Sequence, residues 1–122
     1  LLQSDLHSAL TRYSIVSNAI EYGHGIALAG SSLPADRVTI AKAADELLNI
    51  SGITASFVMS PVGNNISISG RSIGDIDVQQ ILERLGGGGN RSTAGAQLTG
   101  TNVKLAMDRL TAAIDEYISY SN

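Results

Sequence analysis

The stretch Thr54-Ala55-Ser56-Phe57-Val58-Met59-Ser60-Pro61-Val62-Gly63-Asn64-Asn65-Ile66-Ser67-Ile68-Ser69-Gly70-Arg71 organises the whole chain. Thr54 to Ser60 is rich in residues that suit a pleated, half-buried surface. Pro61-Val62-Gly63-Asn64 is turn chemistry. Beyond it, Ile66 and Ile68 alternate with Ser67 and Ser69, a period of two with one apolar and one polar face. Two such runs around a turn predict an antiparallel hairpin whose second strand delivers Ser69, Gly70 and Arg71 at its exit.

Upstream, Leu2, Leu6, Ala9, Tyr13, Val16 and Ile20 recur at steps of four and three, predicting one helix over residues 1–22 that ends near Gly23. Gly25 to Gly30 is a short apolar run between glycines, read as a buried strand. Ser31, Ser32 and Pro34 mark a second helix start. Its apolar face is Val38, Ala41, Ala44, Leu47 and Leu48, it ends at Gly52, and it leaves Arg37 and Lys42 on its solvated side. Downstream, Asp77 with Gln80 resembles a capping box. Val78, Ile81, Leu82 and Leu85 follow at i, i+3, i+4 and i+7, an amphipathic helix that stops at Gly86. A glycine-rich loop runs to Gly95, Ala96-Gln97-Leu98 reads as a short strand, and Val103, Met107, Leu110, Ile114 and Tyr117 form a last helix capped by Thr101 or Asn102. The order predicts a single α/β domain over 1–122, a small mixed β-sheet flanked by helices.

Composition narrows the function. The chain has 122 residues, 43% hydrophobic and 16% charged, which suits one folded domain with its own core. It has no cysteine, so disulfides and thiolate metal sites are excluded. A formal net charge of −3 disfavours long nucleic acids but allows a small nucleotide held by local donors. No apolar run approaches a membrane span and no secretory signal is visible, so the expectation is a cytoplasmic piece of a longer protein, with no membrane contact by the piece itself.

Gly86-Gly87-Gly88-Gly89-Asn90-Arg91-Ser92-Thr93-Ala94-Gly95 is the most unusual segment. One glycine caps a helix, and four in a row exceed that need. Bare backbone N–H groups can cradle an anion, and a mobile surface turn reads equally well from composition alone. Arg71, leaving a strand, can clamp a phosphate with its fork, or simply pair with Asp75 or Asp77.

Taken together, Ser69-x-Arg71-Ser72, a capped helix, and Gly-Gly-Gly-Asn-x-x-Thr-Ala-Gly resemble the DHH-associated domain, whose loop reads Gly-Gly-Gly-His-x-x-Ala-Ala-Gly. Gly87, Gly88 and Gly89 match its glycines, and Ala94 and Gly95 match its end. The run from Ser69 to Gln79, the four-glycine loop, Gln97-Leu98, Val38 to Asp45 and Ala55 to Val58 look most like the C-terminal domain of membrane-anchored cyclic-di-AMP phosphodiesterases of the GdpP type. The resemblance implies a signalling hydrolase of bacteria in which an N-terminal DHH domain, joined through the first helix, carries two metal ions, usually manganese. This domain would grip the cyclic dinucleotide. By carry-over, the substrate-binding residues would be Ser69, Arg71, Ser72, Gly87, Gly88, Gly89 and Asn90, with Arg71 on a phosphate, the glycines offering N–H groups, and residue 90 reaching phosphate or base.

Two departures stand out. Asn90 replaces the family's His and cannot carry a proton. Thr93 replaces Ala, a change read as one of packing, and Gly70 for the more usual Ala reads as minor. The chain offers no catalytic or metal-binding set of its own. Its only histidines are His7 and His24, Asp5 and His7 fall on different sides of a helix, and no Ser/His/Asp pattern or Gly-Lys-Ser/Thr phosphate loop is present. The isolated domain is therefore expected to be inactive. Tyr13, Tyr22, Tyr117 and Tyr120 could stack bases, but packing is the better reading for those on helix stripes. Alternatives are the substrate domain of an oligoribonuclease or bisphosphate-nucleotide phosphatase of the same superfamily, or a degenerate interaction module. The protein partners in view are the DHH domain and a second copy in a homodimer.

Overall fold

A computed structural model describes residues 5–121. It contains α1 (Leu6–Ser17), β1 (Ile20–Gly23), β2 (Ile26–Gly30), α2 (Arg37–Leu47), β3 (Ala55–Val62), β4 (Asn65–Ser72), α3 (Val78–Glu83), β5 (Gly88–Gly89), β6 (Thr93–Thr99) and α4 (Val103–Ser121). The six strands form one sheet in the order β1-β2-β3-β4-β6-β5. Only β2 and β3 run parallel, joined by the crossover helix α2, so the sheet is mixed as the chain order predicts. No helix among the described residues is long and apolar enough to cross a membrane.

Alternation along the strands builds two cores. Ala55, Phe57 and Met59 of β3, Ile66 and Ile68 of β4, and Ala94, Ala96 and Leu98 of β6 point to one face, where α3 and α4 cover them with Val78, Ile81, Leu82, Leu110 and Ile114. On the other face Ala27, Ala29 and Val58 meet Ile15 of α1 and Ile40, Ala43, Ala44 and Leu47 of α2. The small side chains of both partners let α2 lie close enough for the buried Ser56 hydroxyl to donate to Ala44 O at 2.6 Å. This second core includes no residue of β4 or β6. α2 nevertheless reaches over β4, where Ser67 is buried, so the α2 side of the sheet is left open over β6, with Thr93, Gln97 and Thr99 exposed.

The β3–β4 hairpin forms as expected, turning at Gly63-Asn64 with Gly63 at φ +60, while Pro61 stays in the strand. Asp77 caps α3 by accepting from Gln80 N at 3.2 Å, and Asn102 Oδ1 accepts from Leu105 N at 2.9 Å to start α4.

Several expectations are corrected. The first helix does not reach Gly23. It ends at Ser17, and Ile20–Gly23 is an edge strand paired with β2, with Tyr22 as the extra residue of a bulge. His24 (φ 57) and Gly25 (φ 74) make the left-handed two-residue turn between them. Of the predicted stripe, Leu2 lies outside the described residues, and Leu6 and Tyr13 are exposed while Ile15 is buried. The second helix starts at Asp36, whose carboxylate accepts from Thr39 N at 2.7 Å. Its buried face is Thr39, Ile40, Ala43, Ala44 and Leu47, whereas Val38 is 62% exposed. Of the four tyrosines, only Tyr117 is in the core, where its hydroxyl accepts from Asp77 N at 3.0 Å. Tyr22 is half-buried and donates to Asp115 Oδ1 at 2.8 Å, an acceptor that raises its pKa. Tyr13 and Tyr120 are exposed. Gly70 is not a minor substitution either, because a Cβ there would lie 2.9 Å from Phe57 Cε1 and 3.2 Å from Leu82 Cδ1. The Phe57 ring uses the room that an alanine methyl would need.

Candidate functional site: an open sheet face beside a glycine hairpin

The site is built on β4. Strand alternation puts Ser67, Ser69 and Arg71 on the α2 side of the sheet, opposite Gln97, Gly95 and Thr93 of β6. Ser72 falls on the other side. It is buried, and its hydroxyl accepts from Gly74 N at 3.2 Å to hold the turn after β4. Of the predicted contacts, Ser69 and Arg71 share a surface and Ser72 does not.

Arg71 is tethered, though not by the acids expected. Its Nε donates to Asp45 Oδ1 of α2 at 3.1 Å, and Nη1 donates to Gly70 O at 2.9 Å. Asp77 instead caps α3, and Asp75 offers only its backbone carbonyl, which accepts from Arg91 Nη2 at 3.3 Å. The Arg71 side chain is 17% exposed and Asp45 63% exposed, so the pair is anchored from the arginine's side. The two tethers leave Nη2 and the second N–H of Nη1 as an end-on fork, the geometry that meets a phosphate with two parallel hydrogen bonds.

The glycine segment is a hairpin rather than a loose loop. Gly86 (φ 83) ends α3 in a left-handed conformation, with Gly86 N donating to Glu83 O at 3.1 Å and Gly87 N to Leu82 O at 2.9 Å. These are the paired bonds of a Schellman cap. Gly88 and Gly89 then pair with Gly95 and Ala94, so β6 begins at Thr93, three residues before the short strand read from the sequence. Gly87 and Gly89 are required by close approach: a Cβ on Gly87 would run into Gly95 O and sit 2.7 Å from Ala96 Cβ, and one on Gly89 would run into Thr93 O and sit 2.6 Å from Ala94 Cα. Gly88 faces open space. The expected row of three free N–H groups is therefore incomplete, because the Gly87 N–H is already spent on the helix end.

Asn90 closes the hairpin. Its Oδ1 accepts from Ser92 N at 3.0 Å, Ser92 Oγ at 3.1 Å and Thr93 N at 2.9 Å, while Asn90 N donates to Thr93 O at 2.8 Å. Asparagine at this position thus organises its own turn. Its Nδ2 donates to no protein group among the described residues and stays available on an exposed side chain. Thr93, read from the sequence as a packing change, stands opposite Arg71 on the open face.

Between β4, β6 and the glycine hairpin lies a cleft of about 420 Å³ lined by Arg37, Ser67, Ser69, Gly86 to Gly88, Gly95 and Gln97, with no carboxylate in its lining. Such a volume suits a small ligand. A second groove of about 340 Å³ between the starts of α1 and α2 is lined by His7, Asp36 and Pro61 among others and holds no lysine or arginine, so it is the poorer site for an anion. Arg37 and Gln97 were not singled out from the sequence as ligand contacts. Arg37 stands 34 residues from Arg71, and only the β2–α2–β3 crossover brings it to the cleft. Among the described residues no three His, Asp or Glu side chains converge as metal ligands.

Comparison with known proteins agrees with this architecture. The DHHA1 domain family matches residues 25–120. The chain is 42% identical over 120 residues to the cyclic-di-AMP phosphodiesterase GdpP of Geobacillus thermodenitrificans, covering 96% of this chain and 18% of that protein. It is 38% identical over 119 residues to the cyclic-di-AMP phosphodiesterase PdeA of Listeria monocytogenes, covering 95% and 18% respectively. The chain thus spans less than a fifth of the length of these relatives. Among solved structures, an exopolyphosphatase-related protein of Bacteroides fragilis superposes with a TM-score of 0.82 at 20% identity, over 94% of this chain and 36% of that one, a likeness of fold.

Proposed function

The chain belongs to the DHHA1 domain family, and from that premise we propose that it grips a cyclic dinucleotide for hydrolysis by a metal-bearing DHH domain of the same parent protein, to which α1 connects. The observation that carries the reading is the end-on fork of Arg71, held by Asp45 and Gly70 O where β4 meets the uncovered strand β6 at the edge of α2. Ser69 on the same face adds a neutral donor and, with the Gly88 backbone, lines the cleft beside it, while the Asn90 amide is a further donor at the hairpin tip. None of these groups is a base or nucleophile poised for phosphodiester cleavage. The two-metal site, with manganese, would lie in the DHH domain and supply the activated water. Residues of this chain would bind and orient the ligand. The relatives named as cyclic-di-AMP phosphodiesterases make that dinucleotide the first candidate, ahead of short linear oligonucleotides or a bisphosphorylated nucleotide.

The test is calorimetric titration of the chain with cyclic-di-AMP and with its linear product, beside Arg71→Ala. Losing a charged bidentate contact costs about 1.5–3 kcal/mol, so affinity should fall at least tenfold in the variant. Equal affinity in both proteins, or no binding by the unsubstituted chain, would refute the proposal.

A further inference from the structure

We propose that Arg37 and Gln97 form a second anion-binding subsite at the far end of the same open face, so that the domain is built for a ligand with two phosphate groups rather than one. The inference rests on the reading that this face binds a nucleotide, and it extends that reading beyond the Arg71 fork to the cleft that Arg37 and Gln97 line with the glycine hairpin.

Four observations meet there. First, Arg37 is the opening residue of α2 and lines the cleft together with Ser67, Ser69, Gly87, Gly88 and Gln97. Second, it is exposed and makes no ion pair or side-chain hydrogen bond among the described residues, in contrast to Arg71. An uncommitted guanidinium keeps all its donors for a ligand. Third, Gln97 Oε1 accepts from Asn65 Nδ2 at 3.4 Å, which turns the carbonyl end toward Asn65 and leaves Nε2 as the donor. Fourth, no carboxylate lines the cleft, although the chain as a whole carries a formal net charge of −3. Within the cleft the charged side chain is Arg37, and Asp45 of α2 is committed to Arg71.

The arrangement has a definite length. Ser67 pairs with Gln97, and Arg71 pairs with Thr93. Four residues of strand separate the two ends, about 13 Å at roughly 3.3 Å per residue. A nucleoside monophosphate held by Arg71 would leave the other end unused. A dinucleotide with two phosphodiesters can place one on the fixed fork of Arg71 and the other under Arg37, with Ser67, Ser69 and the Gly88 backbone between them. Arg71 is the rigid anchor, and Arg37, on an untethered side chain, is the adjustable one.

The experiment compares the unsubstituted chain, Arg37→Ala and Arg71→Ala in titrations with cyclic-di-AMP and with adenosine monophosphate. Arg37 is exposed at a helix start, so its removal leaves the fold intact, which a thermal melt verifies. The expected result is that Arg37→Ala weakens cyclic-di-AMP about tenfold, the loss of one charge-assisted contact, and changes the monophosphate by less than twofold. Arg71→Ala should weaken both. If Arg37→Ala leaves dinucleotide affinity unchanged, the subsite does not exist. If it weakens both ligands by the same factor, Arg37 acts only through its long-range field and the two-phosphate assignment fails. Absence of any binding by the unsubstituted chain would instead remove the underlying reading of the face, and this inference with it.

Discussion

The four consecutive glycines can be separated by substitution, because each meets a different surrounding. Gly87→Ala puts a methyl group against Gly95 O and 2.7 Å from Ala96 Cβ. Both neighbours belong to a paired strand and cannot swing aside, so β5 must part from β6. Overpacking of this kind costs about 1–3 kcal/mol, and Gly87→Ala belongs at the upper end because the obstacle is backbone. Gly86→Ala meets nothing within 4 Å but must adopt φ +83, a left-handed conformation that costs about 1 kcal/mol relative to glycine. Gly88→Ala meets nothing within 4 Å at a φ outside that region, so its effect on stability should lie within about 0.5 kcal/mol of zero. Urea denaturation at neutral pH reads all three directly, and in a thermal melt 1 kcal/mol corresponds to roughly 4 °C for a domain of this size. The order of destabilisation should be Gly87, then Gly86, then Gly88. Gly88 also lines the cleft, so its alanine variant should keep the stability of the parent yet lose affinity for cyclic-di-AMP. Equal destabilisation by all three substitutions would refute the assignment of separate roles. Undiminished affinity in Gly88→Ala would show that the ligand does not approach this backbone.

Two further outcomes follow from the hairpin tip and the second helix. Asn90→His exchanges an amide that organises its own turn for a ring that can carry charge. Affinity for cyclic-di-AMP should rise, and rise more at pH 6 than at pH 8, since an ordinary histidine titrates near 6.5; a pH-independent affinity no better than the parent's would mean that residue 90 does not reach the ligand. Asp36 is held below the usual carboxylate range, chiefly by the Thr39 backbone N–H. A lowered folded-state pKa gives stability that is fully present above the unfolded value and lost as pH falls through the folded one. Asp36→Ala should therefore cost about 1 kcal/mol at pH 7 and progressively less below about pH 4, as followed by urea midpoints, and a gap that stays constant down to pH 2 would contradict the capping role.

Elements that depend on neighbours in the chain were legible. The β3–β4 hairpin needs only alternating residues and a turn between them. The caps of α3 and α4 need Asp77 and Asn102 a few residues from the amides they serve. The glycine motif was legible as a signal, and through it the family, although its mechanics were not. Three of the four glycines are there because helix α3 must stop in a left-handed turn and the chain must then graze β6. No local pattern distinguishes that need from a phosphate cradle.

What depended on distant partners was not legible. Residues 20–23 continue a helical spacing, yet they form a strand because β2 offers an unpaired edge and the His24-Gly25 turn brings them to it. Helix α2 was read one residue out of phase, because Val38 is as apolar as Ile40. Which of them is buried depends on how the helix lies across Ala27, Ala29 and Val58. The Arg71 partner is Asp45, 26 residues away, rather than the nearer acids, because β4 runs beside α2. The sequence alone therefore determined the class of fold, the hairpin that bears Ser69 and Arg71, and the family of the glycine segment, since these rest on periodicity and short-range hydrogen bonding. The packing of helices on the sheet decided the rest. It buried Ser72 on the face opposite Ser69 and Arg71 and brought Arg37 to the cleft. It also left β6 open on the α2 side of the sheet, because α2 packs over β3 and β4.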